Sequence, residues 1–233
     1  MGGVKVTRGG VLGPRGWREP GWLRSALRLY VVVDPEQSAG RAPMAVADAA
    51  LEGGATAIQL RHRRATGREL CELGAALAAR CASRGALFVV NDRVDVALAC
   101  GADGVHLGQD DLPAARARAV GGAGLVIGVS AATPAEARRA ERDAADYLGV
   151  GSVYGTDSKP DAGAPITCGG LAEVVRASTL PVVGIGGIRA DRAAQVLEAG
   201  AVGVAVISAV CSAADIRAAA AELAAALRGG MAE

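Results

Sequence analysis

The segment GADGVHLGQDDLP, residues 101–113, runs from an apolar stretch into two adjacent carboxylates, Asp110 and Asp111. Like charges this close repel, and acids are seldom buried without a partner. A capping acid ahead of a helix whose first position is Pro113 explains the pair on this stretch alone. A metal explains it equally well, because Asp92 in VVNDRVDVAL (89–98) is a second acid at the end of a similar apolar run. Magnesium takes one or two protein carboxylates and fills its octahedron with water and phosphate oxygens. The chain also carries cations suited to phosphate: Arg61 and Arg63 in QLRHR (59–63), and Lys159. Arginine grips phosphate bidentately, lysine as a point charge. Asp110 is then read as the helix cap and Asp111, with Asp92, as the Mg2+ ligand pair.

Something must bring these residues to one place. Eight short apolar runs recur: LYVVV (29–33), TAIQL (56–60), ALFVV (86–90), DGVHL (103–107), LVIGV (125–129), DYLGV (146–150), PVVGI (181–185) and VGVAV (202–206). Helix-length segments separate or follow them, at 43–53, 67–84, 92–100, 113–120, 134–144, 169–178, 189–199 and 212–228. Gly-Ala pairs at 54–55, 85–86, 101–102 and 200–201 supply the left-handed residue that ends a helix. Eight strand–helix units in this order predict a single (β/α)8 TIM barrel, with an open doubly wound sheet as the competitor. No dinucleotide fingerprint follows the first strand, which favours closure.

In such a barrel, chemistry sits in the loops that leave the strands' carboxyl ends. The polar groups fall there: Gln59 to Arg63, Asn91 and Asp92, Gln109 to Asp111, Ser130, Thr156 to Lys159, Gly186-Gly187, and Ile207-Ser208. The loops after strands seven and eight commonly hold phosphate on backbone N–H groups; as the plainer alternative, Gly186-Gly187 is only a tight turn. His106, inside an apolar run, reads as a hydrogen-bonded core histidine.

The bulk numbers agree with a barrel. Hydrophobic residues make up 51% and aromatics 3%, a core of Ala, Val, Leu and Ile suited to strands apolar on both faces. The net charge of +1 gives no general pull toward nucleic acid or membrane. Residues 1–28 carry a net +5, which leaves −4 for the remainder. This Gly/Pro-rich leader reads as a disordered N-terminal extension, with Trp17 and Trp22 able to pack on a barrel domain spanning 29–228. No run of about 18 apolar residues is present to span a membrane. Five widely spaced cysteines without a CxxC pair fit a reduced, cytoplasmic protein. A homo-oligomer is left open.

The segments QLRHR, VVNDRVDVAL, GADGVHLGQDDLP, IGVSAATPAEA, ADYLGVGSVYGT-S-KPDAG, PVVGIGGI and AVGVAVISAV, in this order, resemble the thiamine phosphate synthase family over residues 29–227. The resemblance implies coupling of hydroxymethylpyrimidine diphosphate with hydroxyethylthiazole phosphate, giving thiamine phosphate and pyrophosphate. It implies that Gln59, Leu60, Arg61, His62 and Arg63, with Asn91, Ser130 and Lys159, hold the pyrimidine diphosphate. It assigns Mg2+ to Asp92 and Asp111, and the thiazole phosphate to Thr156, Ser158, Gly187, Ile207 and Ser208. Arg61, Ser130 and Lys159 are the implied catalytic residues. Arg63 stands where the family has lysine, and Ser158 where it has a second threonine. A related thiazole tautomerase branch shares the barrel but typically carries histidine two positions after the Ser130 equivalent, where this chain has Ala132. A phosphate-binding regulator without turnover is the non-enzymatic alternative, and a pair of magnesium ligands argues against it.

Overall fold

The computed structural model describes residues 21–156, 158 and 163–229. The expected disorder of residues 1–20, and Trp17 within them, lie outside the described residues, as does Lys159. Within the described residues eight parallel strands close a barrel in sequence order: β1 Leu29–Val33, β2 Ala57–Leu60, β3 Leu87–Asn91, β4 Gly104–Leu107, β5 Val126–Ala131, β6 Tyr147–Val150, β7 Val182–Ile185 and β8 Gly203–Val206. Pairing of Leu29 with Val204 and Tyr30 with Ala205 joins the last strand to the first. The open sheet is thereby excluded.

Around the barrel lie α2 Pro43–Glu52, α3 Gly67–Ser83, α4 Val94–Cys100, α5 Ala114–Gly121, α6 Pro134–Arg142, α7 Thr167–Arg176, α8 Ala190–Glu198 and α10 Ile216–Gly229. Local chemistry sets several of their starts. Thr66 with Glu69 and Thr133 with Glu136 form capping boxes, and Pro134 opens α6 with its φ already helical. Gly54, Gly85, Gly101 and Gly200 all take positive φ, as the Gly-Ala pairs require.

The strand pleat sorts the core into two layers. Leu29, Val31, Val33, Ile58, Leu60, Phe88 and Val90 pack outward into the layer shared with the helices. Tyr30, Val32, Ala57, Leu87, Val89, Val126, Tyr147 and Val183 fill the barrel itself. Of the cysteines, Cys81, Cys100 and Cys211 are buried and unpaired, and burial pushes the Cys81 and Cys211 thiols up to about 12. Among the described residues no helix is long and apolar enough to cross a membrane.

Three features depart from the sequence reading. The helix expected at 212–228 starts later, as α10 from Ile216, and a separate short helix, α9 Ser208–Cys211, precedes it, so Ser208 begins a helix instead of ending a loop. Neither Asp110 nor Asp111 caps α5. Pro113 takes the N-cap position without any side-chain cap, Asp110 is exposed, and Asp111 turns back to accept the Gly108 N–H at 2.6 Å. The third departure is at the N-terminal side, where α1 Trp22–Ala26 precedes β1. Ala26 and Leu27 are buried, and Trp22 and Leu23 pack against the interior layer, so this helix plugs the end of the barrel remote from the strand C-termini. Arg28 donates to the carbonyls of Val202 and Leu227, tying the plug to α10. The ordered domain therefore begins before residue 29.

A chain beginning at Leu29 should be less stable than one beginning at Gly21 by about 3 kcal/mol, the scale of losing one large buried side chain and part of another. Urea unfolding of the two chains measures the difference; equal midpoints and slopes would show that the plug contributes nothing.

Candidate active site

All eight strands deliver a polar group or a glycine to the rim at their C-terminal ends, including β1, whose contribution the sequence reading passed over. That contribution is Asp34, only 2% exposed. One of its carboxylate oxygens accepts the Glu36 N–H at 3.0 Å and starts a 3-10 turn at Pro35–Gln37. The other pairs with the Arg61 guanidinium, which is also buried. A buried ion pair loses much of its Coulomb gain to desolvation, so its value lies in orientation: one arginine nitrogen is held, and the fork is fixed at the rim. Nothing in the types or spacing of the residues linked position 34 to position 61. Only the adjacency of β1 and β2 does so.

Along β2 the pleat divides the predicted binding stretch. Gln59 points into the barrel and donates from its amide nitrogen to the Tyr30 hydroxyl at 2.8 Å. Leu60 faces the helix layer, so it can offer a ligand only its backbone. His62 is half-buried, with Nδ1 buried and lacking a partner, while Arg63 is exposed. Arg64 leaves the rim to pair with Glu36 at 2.9 Å.

Asn91 ends β3 on the inward pleat, paired in register with His106 of β4. Asp92 follows with φ 61°, a left-handed conformation that Asp tolerates better than most residues. Its N–H donates to the His106 carbonyl at 2.8 Å, so this turn is stitched to β4. The turn also explains why α4 begins at Val94 and not at 92. Asp92 and Asp111 thus leave neighbouring strands at the same edge. Among the described residues no three or more His, Cys, Asp or Glu gather into a metal cage. A two-carboxylate donor set of this kind suits a hard cation that keeps water and ligand phosphate in its shell.

Ser130 on β5 is half-buried, its Oγ 3.0 Å from His106 Nε2, while Gln109 donates to the Ser130 carbonyl at 2.5 Å. On the far side of the rim, the loop after β6 meets the loops after β7 and β8. The Ser158 N–H donates to Thr156 Oγ1 at 3.1 Å, and Ser158 Oγ lies 3.4 Å from Ser208 Oγ. Gly186 and Gly187 both have positive φ. A Cβ on either would come within 2.3 Å of Ser152 Oγ or 2.4 Å of the Gly155 carbonyl, so both must be glycine. Arg192, which carried no motif, donates to the Gly187 carbonyl at 3.0 Å and lies over the Tyr154 ring at 4.7 Å. It braces this loop from behind.

The rim therefore has two sectors. One, over β1 to β5, gathers a fixed arginine, two carboxylates and polar side chains. The other, over β6 to β8, gathers hydroxyls and glycine backbone.

The chain matches the family model described as thiamine monophosphate synthase over residues 29–210. It is 54% identical to the thiamine-phosphate synthase of Moorella thermoacetica, over 84% of this chain and 93% of that protein. It is 51% identical to the enzyme of the same name from Roseiflexus castenholzii, over 82% of this chain and 84% of that one. Its fold superimposes on the thiamine phosphate pyrophosphorylase of Pyrococcus furiosus with a TM-score of 0.83 and 44% identity, covering 90% and 99% of the two chains. A barrel this similar, matched across nearly its whole length and with its polar residues on the expected rim, belongs to the thiamine monophosphate synthase family.

Proposed function

We propose that this protein is a thiamine phosphate synthase that joins hydroxymethylpyrimidine diphosphate to hydroxyethylthiazole phosphate in the cytoplasm. The observation that carries the reading is the division of one rim into two polar sectors, one around the Arg61 held by Asp34 and one around Thr156, Ser158 and Ser208. A single phosphate ligand needs one sector; two phosphorylated substrates need both. The names of its relatives support the same reaction.

In this reading Gln59, Arg61, Asn91 and Ser130 hold the pyrimidine diphosphate, with Arg63 and Lys159 adding charge. Thr156, Ser158, Gly187, Ile207 and Ser208 hold the thiazole phosphate. Asp92 and Asp111 would bind Mg2+, which when present neutralises the charge of the diphosphate oxygens. The methylene C–O bond breaks, and the departing pyrophosphate keeps the electron pair. The electron-rich aminopyrimidine spreads the positive charge left on the methylene carbon, and the thiazole nitrogen closes the new C–N bond with its lone pair. Arg61, held by Asp34, faces the charge that grows on the leaving group without having to reorganise. No proton has to move at either reacting atom, so the step calls for no general base. At Ala132, the position that distinguishes the tautomerase branch, there is only a backbone N–H, donated to Glu136 at 2.6 Å.

Purified protein given both substrates and magnesium should release thiamine phosphate and pyrophosphate in equal amounts. Isomerisation of a thiazole carboxylate phosphate, with no pyrophosphate from the mixed substrates, would replace this reading by the tautomerase one. Asp92→Ala and Asp111→Ala should each lower turnover at least about a hundredfold, as loss of a metal ligand does. Undiminished turnover in excess chelator would remove magnesium from the mechanism. Lys159→Ala should raise the barrier by about 2–4 kcal/mol while thiazole phosphate affinity stays nearly constant. A matching loss of thiazole phosphate affinity would place Lys159 in the other sector.

A further inference from the structure

The barrel interior contains a continuous polar chain that reaches both sides of the pyrimidine-diphosphate sector. Gln59 Nε2 donates to the Tyr30 hydroxyl at 2.8 Å, and the Tyr30 and Tyr147 hydroxyls are 2.9 Å apart. Tyr147 Oη lies 3.0 Å from His106 Nδ1, and His106 Nε2 lies 3.0 Å from Ser130 Oγ. Its members come from β1, β2, β4, β5 and β6. The chain has three tyrosines in all, and two of them are here. Space is made for them: a Cβ on Gly128 would come 2.1 Å from the Tyr147 ring, and one on Gly149 would come 2.8 Å from the His106 ring. Two glycines thus clear the room that two polar rings occupy.

The chain has a direction. An amide nitrogen can only donate, so Tyr30 Oη accepts from Gln59. The buried Tyr30 proton is left with the Tyr147 oxygen as its acceptor, and the Tyr147 proton with His106 Nδ1; leaving either unpaired would carry a desolvation cost. Burial holds both phenols well above the usual tyrosine range, so both stay protonated. His106 then accepts at Nδ1 and donates from Nε2–H to Ser130, which leaves the serine's own proton to be aimed at the rim.

We infer that Tyr30, Tyr147 and His106 are positioning residues that fix the Ser130 hydroxyl as a hydrogen-bond donor toward the leaving diphosphate. The orientation is set by the Nε2–H tautomer of His106, with Nδ1 as acceptor, and ultimately by Gln59. This assignment rests on the proposed place of the pyrimidine diphosphate. The chain also makes the two halves of that site interdependent, because a substrate contact that turns Gln59 reverses the first donor.

Two measurements test it. The protein has two histidines, His62 and His106, so 15N NMR of histidine-labelled protein, assigned with His62→Gln, reads the tautomer directly. Nε2 of His106 should carry the proton and Nδ1 should be bare; a proton on Nδ1 overturns the direction of the chain. This needs no turnover, so it stands apart from the proposed reaction. In the kinetic arm, Tyr147→Phe and Tyr30→Phe should each lower kcat/KM for the pyrimidine diphosphate about ten- to a hundredfold, with the thiazole phosphate KM unchanged. In a Ser130→Ala background the same changes should cost almost nothing further, because they act through that hydroxyl. Equal losses in both backgrounds, or a parallel rise in the thiazole phosphate KM, would assign the tyrosines to core packing alone. If one Phe variant fails to fold, the other carries the cycle and the tautomer measurement is unaffected.

Discussion

The pleat of a strand inside a closed barrel governs most of this molecule. Every second side chain is sent into a space of fixed size, where it must fill volume and satisfy any polar atom without help from solvent. The other side chains meet the helices. On β2 this rule makes Gln59 an interior residue and Leu60 a packing residue, although they are neighbours in sequence. On β4 it turns His106 inward, between Ser130 and Tyr147. Once two tyrosines and a histidine are interior, Gly128 and Gly149 have to be glycine, and the polar atoms must find one another.

The same constraint makes the rim rigid. Arg61 is held by Asp34 of the adjoining strand, Asp92 by the carbonyl of His106, and Gly187 by Arg192 stacked on Tyr154. Each of these supports sits one layer behind a residue proposed to touch substrate. Catalysis by preorganised charge depends on such supports, because charges that must move into place during the reaction spend their effect on reorganisation.

Much of this was legible in the residues. The eight apolar runs became the eight strands with small shifts at their ends, because parallel strands covered on both sides must be apolar throughout. The four Gly-Ala pairs worked because left-handed backbone favours glycine so strongly. Capping was less legible. Two acids before Pro113 looked like a cap, yet proline's fixed φ left that role to no side chain, and Asp111 closed its own loop instead. The inner end of the leader was not legible: Trp22, Leu23, Ala26 and Leu27 are too few to show a helical period, and only the open end of the barrel makes sense of them.

The sequence by itself determined which residues reach the rim, since alternation of strand and helix puts every strand-to-helix loop on one face. It also marked the chemistry of that rim through residue types, and the order of motifs identified the family. Tertiary structure alone decided which of these residues are paired. Asp34 and Arg61 are 27 positions apart, and Tyr30 and Tyr147 are 117 apart. Their contacts follow from strand adjacency and register, which are properties of the closed sheet and not of any local stretch of chain.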